Sequence, residues 1–256
     1  MNNVLLETVD LNRYFGGLHA VQNVSFTARA GDIKAIIGPN GAGKTTLFNL
    51  IAGSIPPHSG KVIFKGKEIT HQKPHLIAKQ GLLRTFQTTK LFPHMTVLEN
   101  VMVGRHTQSK GGFIAGMLNL PFTWREERAI EERALEILEL LKLDSSKDEL
   151  AGNMPFGRQR MVEFARALAT EAELLLLDEP AAGLNIHETE ELSLLLRTIR
   201  DLGKTLLIVE HDMSLVMDIS DDILVLDQGM KIAEGNPETI RKSPEVISVY
   251  LGEDNA

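Results

Sequence analysis

Apolar and polar residues alternate at the front of the chain and run in unbroken apolar blocks further on. Val24, Phe26 and Ala28 interleave with Ser25 and Thr27, the period of two expected of a half-buried strand. The first thirty residues therefore predict short strands, closed by a turn at Ala30-Gly31-Asp32. Ile33-Lys34-Ala35-Ile36-Ile37 reads as a mostly apolar strand running into a Gly-rich loop. Lys44 to Ile51 reads as a helix closed near Gly53. Pro56-Pro57-His58-Ser59-Gly60 is a turn cluster, and Val62-Ile63-Phe64 another strand.

From about Leu91 to Ala169 the period changes. Ala129, Ile130, Arg133, Ala134, Ile137, Leu138 and Leu141 recur at three and four residues, which predicts an amphipathic helix. Strands return after Ala172. Leu174 to Leu177 and Leu206 to Val209 are continuous apolar runs, as in a parallel sheet covered on both faces. Between them Leu192, Leu195, Leu196 and Ile199 mark one face of a helix. Ile223 to Leu226 and Lys231 to Ala233, joined at Gln228-Gly229, predict a hairpin. No internal repeat is visible. The order predicts an α/β core interrupted by a mainly helical insertion, with a small antiparallel sheet near the front.

The 256 residues suffice to bury a core without staples. There is no cysteine, so disulfides, thiolate metal sites and cysteine nucleophiles are excluded. A formal charge of −7 argues against nucleic acid as a partner and against plain adhesion to anionic lipid. No stretch approaches the roughly 20 apolar residues of a membrane helix. Met1 to Asp10 lacks the basic start and apolar run of a secretory signal.

Chemistry enters at Gly38-Pro39-Asn40-Gly41-Ala42-Gly43-Lys44-Thr45, which fits G-x-x-x-x-G-K-[ST] between a strand and a helix. Such a loop turns backbone N–H groups onto phosphate oxygens, aided by the helix N-terminus. Gly38, Asn40, Gly41, Ala42, Gly43, Lys44, Thr45 and Thr46 are the candidate nucleotide-binding residues. Lys44 is placed to reach the β- and γ-phosphates, and the Thr45 hydroxyl to ligate Mg²⁺. Further on, four leucines run into Asp178-Glu179. Asp178 can hold Mg²⁺ through its water shell, and Glu179 can orient and polarise the water that attacks the γ-phosphate. This pair alone does not separate a hydrolase from a kinase.

Four further segments carry a family resemblance. Arg84-Thr85-Phe86-Gln87 resembles the glutamine loop of ABC ATPases. Asn153-Met154-Pro155-Phe156-Gly157-Arg158-Gln159-Arg160 stands where their LSGGQ signature lies. Asp178-Glu179-Pro180-Ala181-Ala182-Gly183-Leu184-Asn185 is similar to their second acidic motif and D-loop, and Glu210-His211-Asp212 to their switch histidine. The order and spacing match from about Leu5 to Gly235.

The resemblance implies a P-loop NTPase (RecA-like) core with a small antiparallel β subdomain and an inserted α-helical subdomain. Residues 5–253 would form one ABC ATPase domain. Its core and β subdomain would occupy about 1–90 and 170–240, the helical subdomain 91–169 and a C-terminal tail 240–256. Its implied ligands are ATP and Mg²⁺. Phe15 would stack on adenine, with Tyr14 the second candidate. Gln87 would touch Mg²⁺ and relay the nucleotide state, and His211 would contact the γ-phosphate. Gly157 would cap the γ-phosphate of a second ATPase subunit, identical or different. Two membrane permease subunits and, indirectly, a substrate-binding protein complete the implied assembly at the cytoplasmic face of the cell membrane.

The chain departs from the pattern at Pro155 for serine, Arg158 for glutamine and Asn185 for the D-loop aspartate. Two readings of Arg158 stand, facing phosphate or facing solvent. The 104–128 insertion, the run Ala181 to Asn185 and the tail Ile247 to Gly252 look like the ATPases of branched-chain amino acid importers. Urea and amide importers and lipopolysaccharide exporters are similar too. A slowly hydrolysing, nucleotide-gated dimerisation subunit is the alternative that Pro155 and Arg158 favour. The insertion reads either as a permease contact or as a packed loop. His71 and His75 read as a solvated pair, with Pro74 opposing a regular helix there.

Overall fold

The computed structural model describes residues 3–84, 91–106 and 121–253, with the side chains of 106, 121–126 and 251–253 excepted. The chain divides into two compact units, Met1–Gln87 with Glu173–Ala256, and Thr88–Ala172.

The first unit carries two sheets. Strands β1 (Val4–Phe15), β2 (Leu18–Arg29), β4 (Ser59–Phe64) and β5 (Lys67–Glu68) form an antiparallel sheet in the order β2-β1-β4-β5. The second sheet runs β10-β9-β3-β8-β7-β6, from β3 (Ile33–Ile37), β6 (Leu82–Arg84), β7 (Leu174–Asp178), β8 (Thr205–Val209), β9 (Asp222–Asp227) and β10 (Met230–Gly235). Strands β9, β3, β8, β7 and β6 are mutually parallel, and β10 closes one edge antiparallel to β9. All five residues of β3, of β7 and of β8 are buried, as continuous apolar runs require. Helices α1 (Lys44–Ile51), α2 (Pro74–Lys79), α6 (Ile186–Asp201), α7 (Met213–Ile219), α8 (Pro237–Lys242) and α9 (Pro244–Glu253) complete this unit. One hydrophobic cluster joins Leu6, Leu11 and Phe26 to Phe48, Leu176, Leu207 and Leu224.

The predicted short front strands are instead two strands of twelve residues. The alternation slips because β1 bulges. Asp10 sits at φ 46° and the register shifts between Thr8 and Leu11. Leu6 and Thr8 face inward before the bulge, and Leu11 after it. Pro74 does not oppose a helix either. It opens α2 at the first position, where its missing N–H costs no bond, and His75 follows inside the helix.

Strand β3 also buries a charge. Lys34 is 1% exposed, and its ammonium pairs with Asp222 of β9 and Glu234 of β10, above the ring of Phe26. The β9–β10 turn braces its neighbours. Gly229 N–H donates to the Ala42 carbonyl at 3.1 Å, and Gln22 N–H to the Gly229 carbonyl at 2.8 Å.

The second unit contains α3 (Val97–His106), α4 (Pro121–Leu140) and α5 (Phe156–Ala169). Of the predicted stripe Ile130, Ala134, Ile137, Leu138 and Leu141 are buried, while Ala129 and Arg133 are exposed beside it. Thr96 and Glu99 cap α3 reciprocally, and buried Asn100 bonds the carbonyls of Phe92, Met95 and Thr96. Most of the 104–128 insertion lies outside the described residues.

Candidate functional site

The carboxyl ends of β3, β6, β7 and β8 lie on one edge of the parallel sheet, the usual place for a ligand in such folds. Four sequence motifs leave the sheet there. After β3 the loop 38–43 turns into α1. Gly38 has φ 148°, and a Cβ on it would lie 2.1 Å from the Leu226 carbonyl oxygen. Gly43 caps α1 at φ 99°, and its Cβ would lie 2.3 Å from the Ala20 oxygen. Both positions exclude side chains. No side chain caps α1, and a helix N-terminus of this kind favours an anion. Lys44 Nζ donates to the carbonyls of Gly38 at 2.6 Å and Pro39 at 2.9 Å, which folds it over the loop. Asn40, Gly41 and Thr45 are exposed, Thr46 is half-buried and Ala42 buried.

Asp178 ends β7 at 2% exposure. Its Oδ2 accepts from Arg84 at 2.8 Å, and Arg84 also bonds Asn49 of α1. Arg84 was legible only as the start of a motif. Its bond to the acidic strand end is a tertiary fact that spacing does not carry. Glu179 follows at φ 49°, a left-handed conformation rare for a residue with a side chain. Its N–H donates to the Val209 carbonyl at 2.9 Å, tying the end of β7 to that of β8. His211 is 65% exposed and stands two residues beyond β8. The oxygen-only set of Thr45 and Asp178 fits a hard cation such as Mg²⁺.

Phe15 ends β1 at 46% exposure, with the Arg13 guanidinium 4.8 Å from its ring centre. Tyr14 instead stacks on His19 at 3.9 Å, so one of its faces is already covered. Gln87 lies outside the described residues.

In the second unit Pro155 is the N-cap of α5 with no side-chain cap, and Gly157 lies in the first turn. Arg158 lies in the first turn of α5 beside Gly157. It is half-buried and its guanidinium donates to Ser146 Oγ at 3.3 Å.

Asn185 has a local task of its own. Its side chain accepts from Glu188 N–H at 3.0 Å while Glu188 accepts from Asn185 N–H at 2.9 Å, a complete capping box on α6. Asparagine and aspartate cap about equally well. Asn185→Ala is expected to cost about 1 kcal/mol and Asn185→Asp almost nothing, read from urea-unfolding midpoints.

The ABC transporter family matches residues 21–182, and the branched-chain amino acid ATP-binding cassette transporter family matches 230–256. The chain is 43% identical to the high-affinity branched-chain amino acid transport ATP-binding protein BraF of Pseudomonas aeruginosa. It is 44% identical to the corresponding protein LivG of Escherichia coli K12. Each alignment covers 99% of this chain and 100% of the relative. The crystal structure of the ADP conformation of an ATP-binding cassette from an ABC transporter superimposes with a TM-score of 0.84 at 34% identity, covering 97% of this chain and 99% of that one.

Proposed function

The chain belongs to the ABC transporter family as an ATP-binding subunit, an ATPase coupled to transport, and on that premise we propose that it powers import of branched-chain amino acids. The observation that carries the chemistry is the common sheet edge. The phosphate loop after β3, the Asp178-Glu179 pair at the end of β7 and His211 after β8 lie on the same side of one parallel sheet. The match of residues 230–256 and the names of the relatives support the solute.

In this reading ATP lies along the α1 N-terminus with its phosphates on the amides of residues 38–46, and Lys44 leaves the loop carbonyls to meet the β- and γ-phosphates. Phe15 stacks on the adenine. Thr45, Gln87 and Asp178 would hold Mg²⁺, Asp178 through water. When bound, that ion neutralises charge developing on the phosphate oxygens. Glu179 orients a water in line with the γ-phosphorus and draws off its proton, and ADP is the leaving group. His211 holds the γ-phosphate. Gly157 and the uncapped first turn of α5 close over the γ-phosphate of a second ATPase subunit. The pair drives two permease subunits from the cytoplasmic face of the membrane. No described helix is long and apolar enough to cross a membrane.

The test is phosphate release by the chain assembled with its permease subunits in vesicles. Addition of binding protein loaded with leucine is expected to raise the rate, and protein offered urea is not. Equal rates under both conditions exclude the proposed solute, and no release under either excludes the motor.

A further inference from the structure

Glu210 is a carboxylate with no solvent exposure at the end of an apolar strand. Its Oε1 accepts from Ala181 N–H at 2.7 Å. Its Oε2 accepts from His211 N–H at 3.0 Å and from Asp212 N–H at 3.4 Å, with His211 Nδ1 3.7 Å away. One side chain thus bridges the loop after β7 and the loop after β8. The Glu179 N–H to Val209 carbonyl bond lies beside it, so the two loops are stitched twice. Glu179 and His211 flank these stitches.

We infer that Glu210 is a positioning residue, whose buried carboxylate fixes the separation of Glu179 and His211 for hydrolysis. The physical ground is cost. Taking a carboxylate out of water is expensive, so a strand end does not carry one for its apolar packing. What an apolar residue lacks is two acceptors back to back. Ala181 and His211 lie on separate strands' exits, and only an acceptor pair on one rigid fork holds both backbones at once. The inference rests on the roles proposed above for Glu179 and His211.

Glu210→Gln tests it in the full-length chain. The amide keeps the shape but presents one acceptor and one donor, so one of the two loops meets an N–H where it needs an oxygen. ATP affinity and KM are expected to stay within about twofold while kcat falls about tenfold, the pattern of a lost transition-state interaction. Hydrogen exchange at residues 181 and 211–212 is expected to quicken in the nucleotide-free chain. Because the separation it fixes no longer matters once His211 is gone, the Glu210→Gln change adds less than about a twofold loss to a His211→Ala chain. Multiplying losses, or a kcat equal to that of the unaltered chain, overturns the inference. Should the Gln variant not fold, Glu210→Asp, which keeps both acceptors on a shorter stem, is expected to bind ATP and lose kcat in the same way. An unaltered chain that binds ATP without hydrolysing it strikes the functional reading instead.

Discussion

Replacing Glu179 with glutamine is expected to lower steady-state phosphate release at least about 100-fold, the lower end of what a positioned general base contributes. That loss equals roughly 2.7 kcal/mol of transition-state stabilisation. Glutamine is nearly the same size and adopts the left-handed backbone of residue 179 at similar cost, so the turn after β7 is retained. Lys44, Thr45 and the α1 amides are untouched, and ATP binding is expected to hold. The two measurements are phosphate release by the assembled complex and nucleotide affinity of the same preparation. A variant that releases phosphate at the unaltered rate removes Glu179 from the chemistry. One that fails to bind ATP places it in binding instead.

The second large effect concerns stability. Lys34→Ala is expected to destabilise the chain by about 3 kcal/mol, within the range for breaking a buried ion pair. The ammonium is enclosed in the sheet, and its removal leaves Asp222 and Glu234 side by side without their shared cation. Both carboxylates keep partial access to water, which holds the cost below the top of that range. Lys34→Met, which keeps the buried stem, is expected to cost less. Urea-unfolding midpoints measure both. Acid sensitivity follows from the same cluster. Burial pushes the Glu234 carboxyl up, but hydrogen bonds from Lys231 and Lys34 outweigh it and hold the group below its ordinary 4.5. Its contribution to stability is therefore complete above that value and is lost as pH falls through the lowered folded one. In Lys34→Ala the acid limb of stability against pH is expected to flatten. An unchanged limb removes Lys34 as the group that holds Glu234 down.

Much of this arrangement could be read from the chain because its signals are local. The apolar runs 174–177 and 206–209 and the helix 44–51 lie where their patterns put them, since continuous hydrophobicity and glycine punctuation need no distant partner. The length of the front strands was hidden by the bulge at Asp10, which reverses the inward face partway along β1. In the sequence Lys34 is one polar residue in a mostly apolar strand. Its partners lie about two hundred residues away in sequence, joined only by sheet order. Glu210 carries a local signal of its own. Like Asp178 and Glu179 it is an acid directly after a buried apolar run, and that parallel marks it as more than a motif's first letter. Asn185 was equally readable, because Asn-x-x-Glu before an apolar helix is a capping box whatever else the segment does.

The turn between β9 and β10 looks like an ordinary surface hairpin, the sort of place where an affinity tag or fluorescent reporter is spliced in. Here it is a poor graft site. Its Gly229 amide is the strut behind Ala42, and a Cβ at that glycine would lie 2.9 Å from the His19 oxygen. Lengthening the turn pulls that strut from under the nucleotide loop, so labels belong elsewhere on this protein.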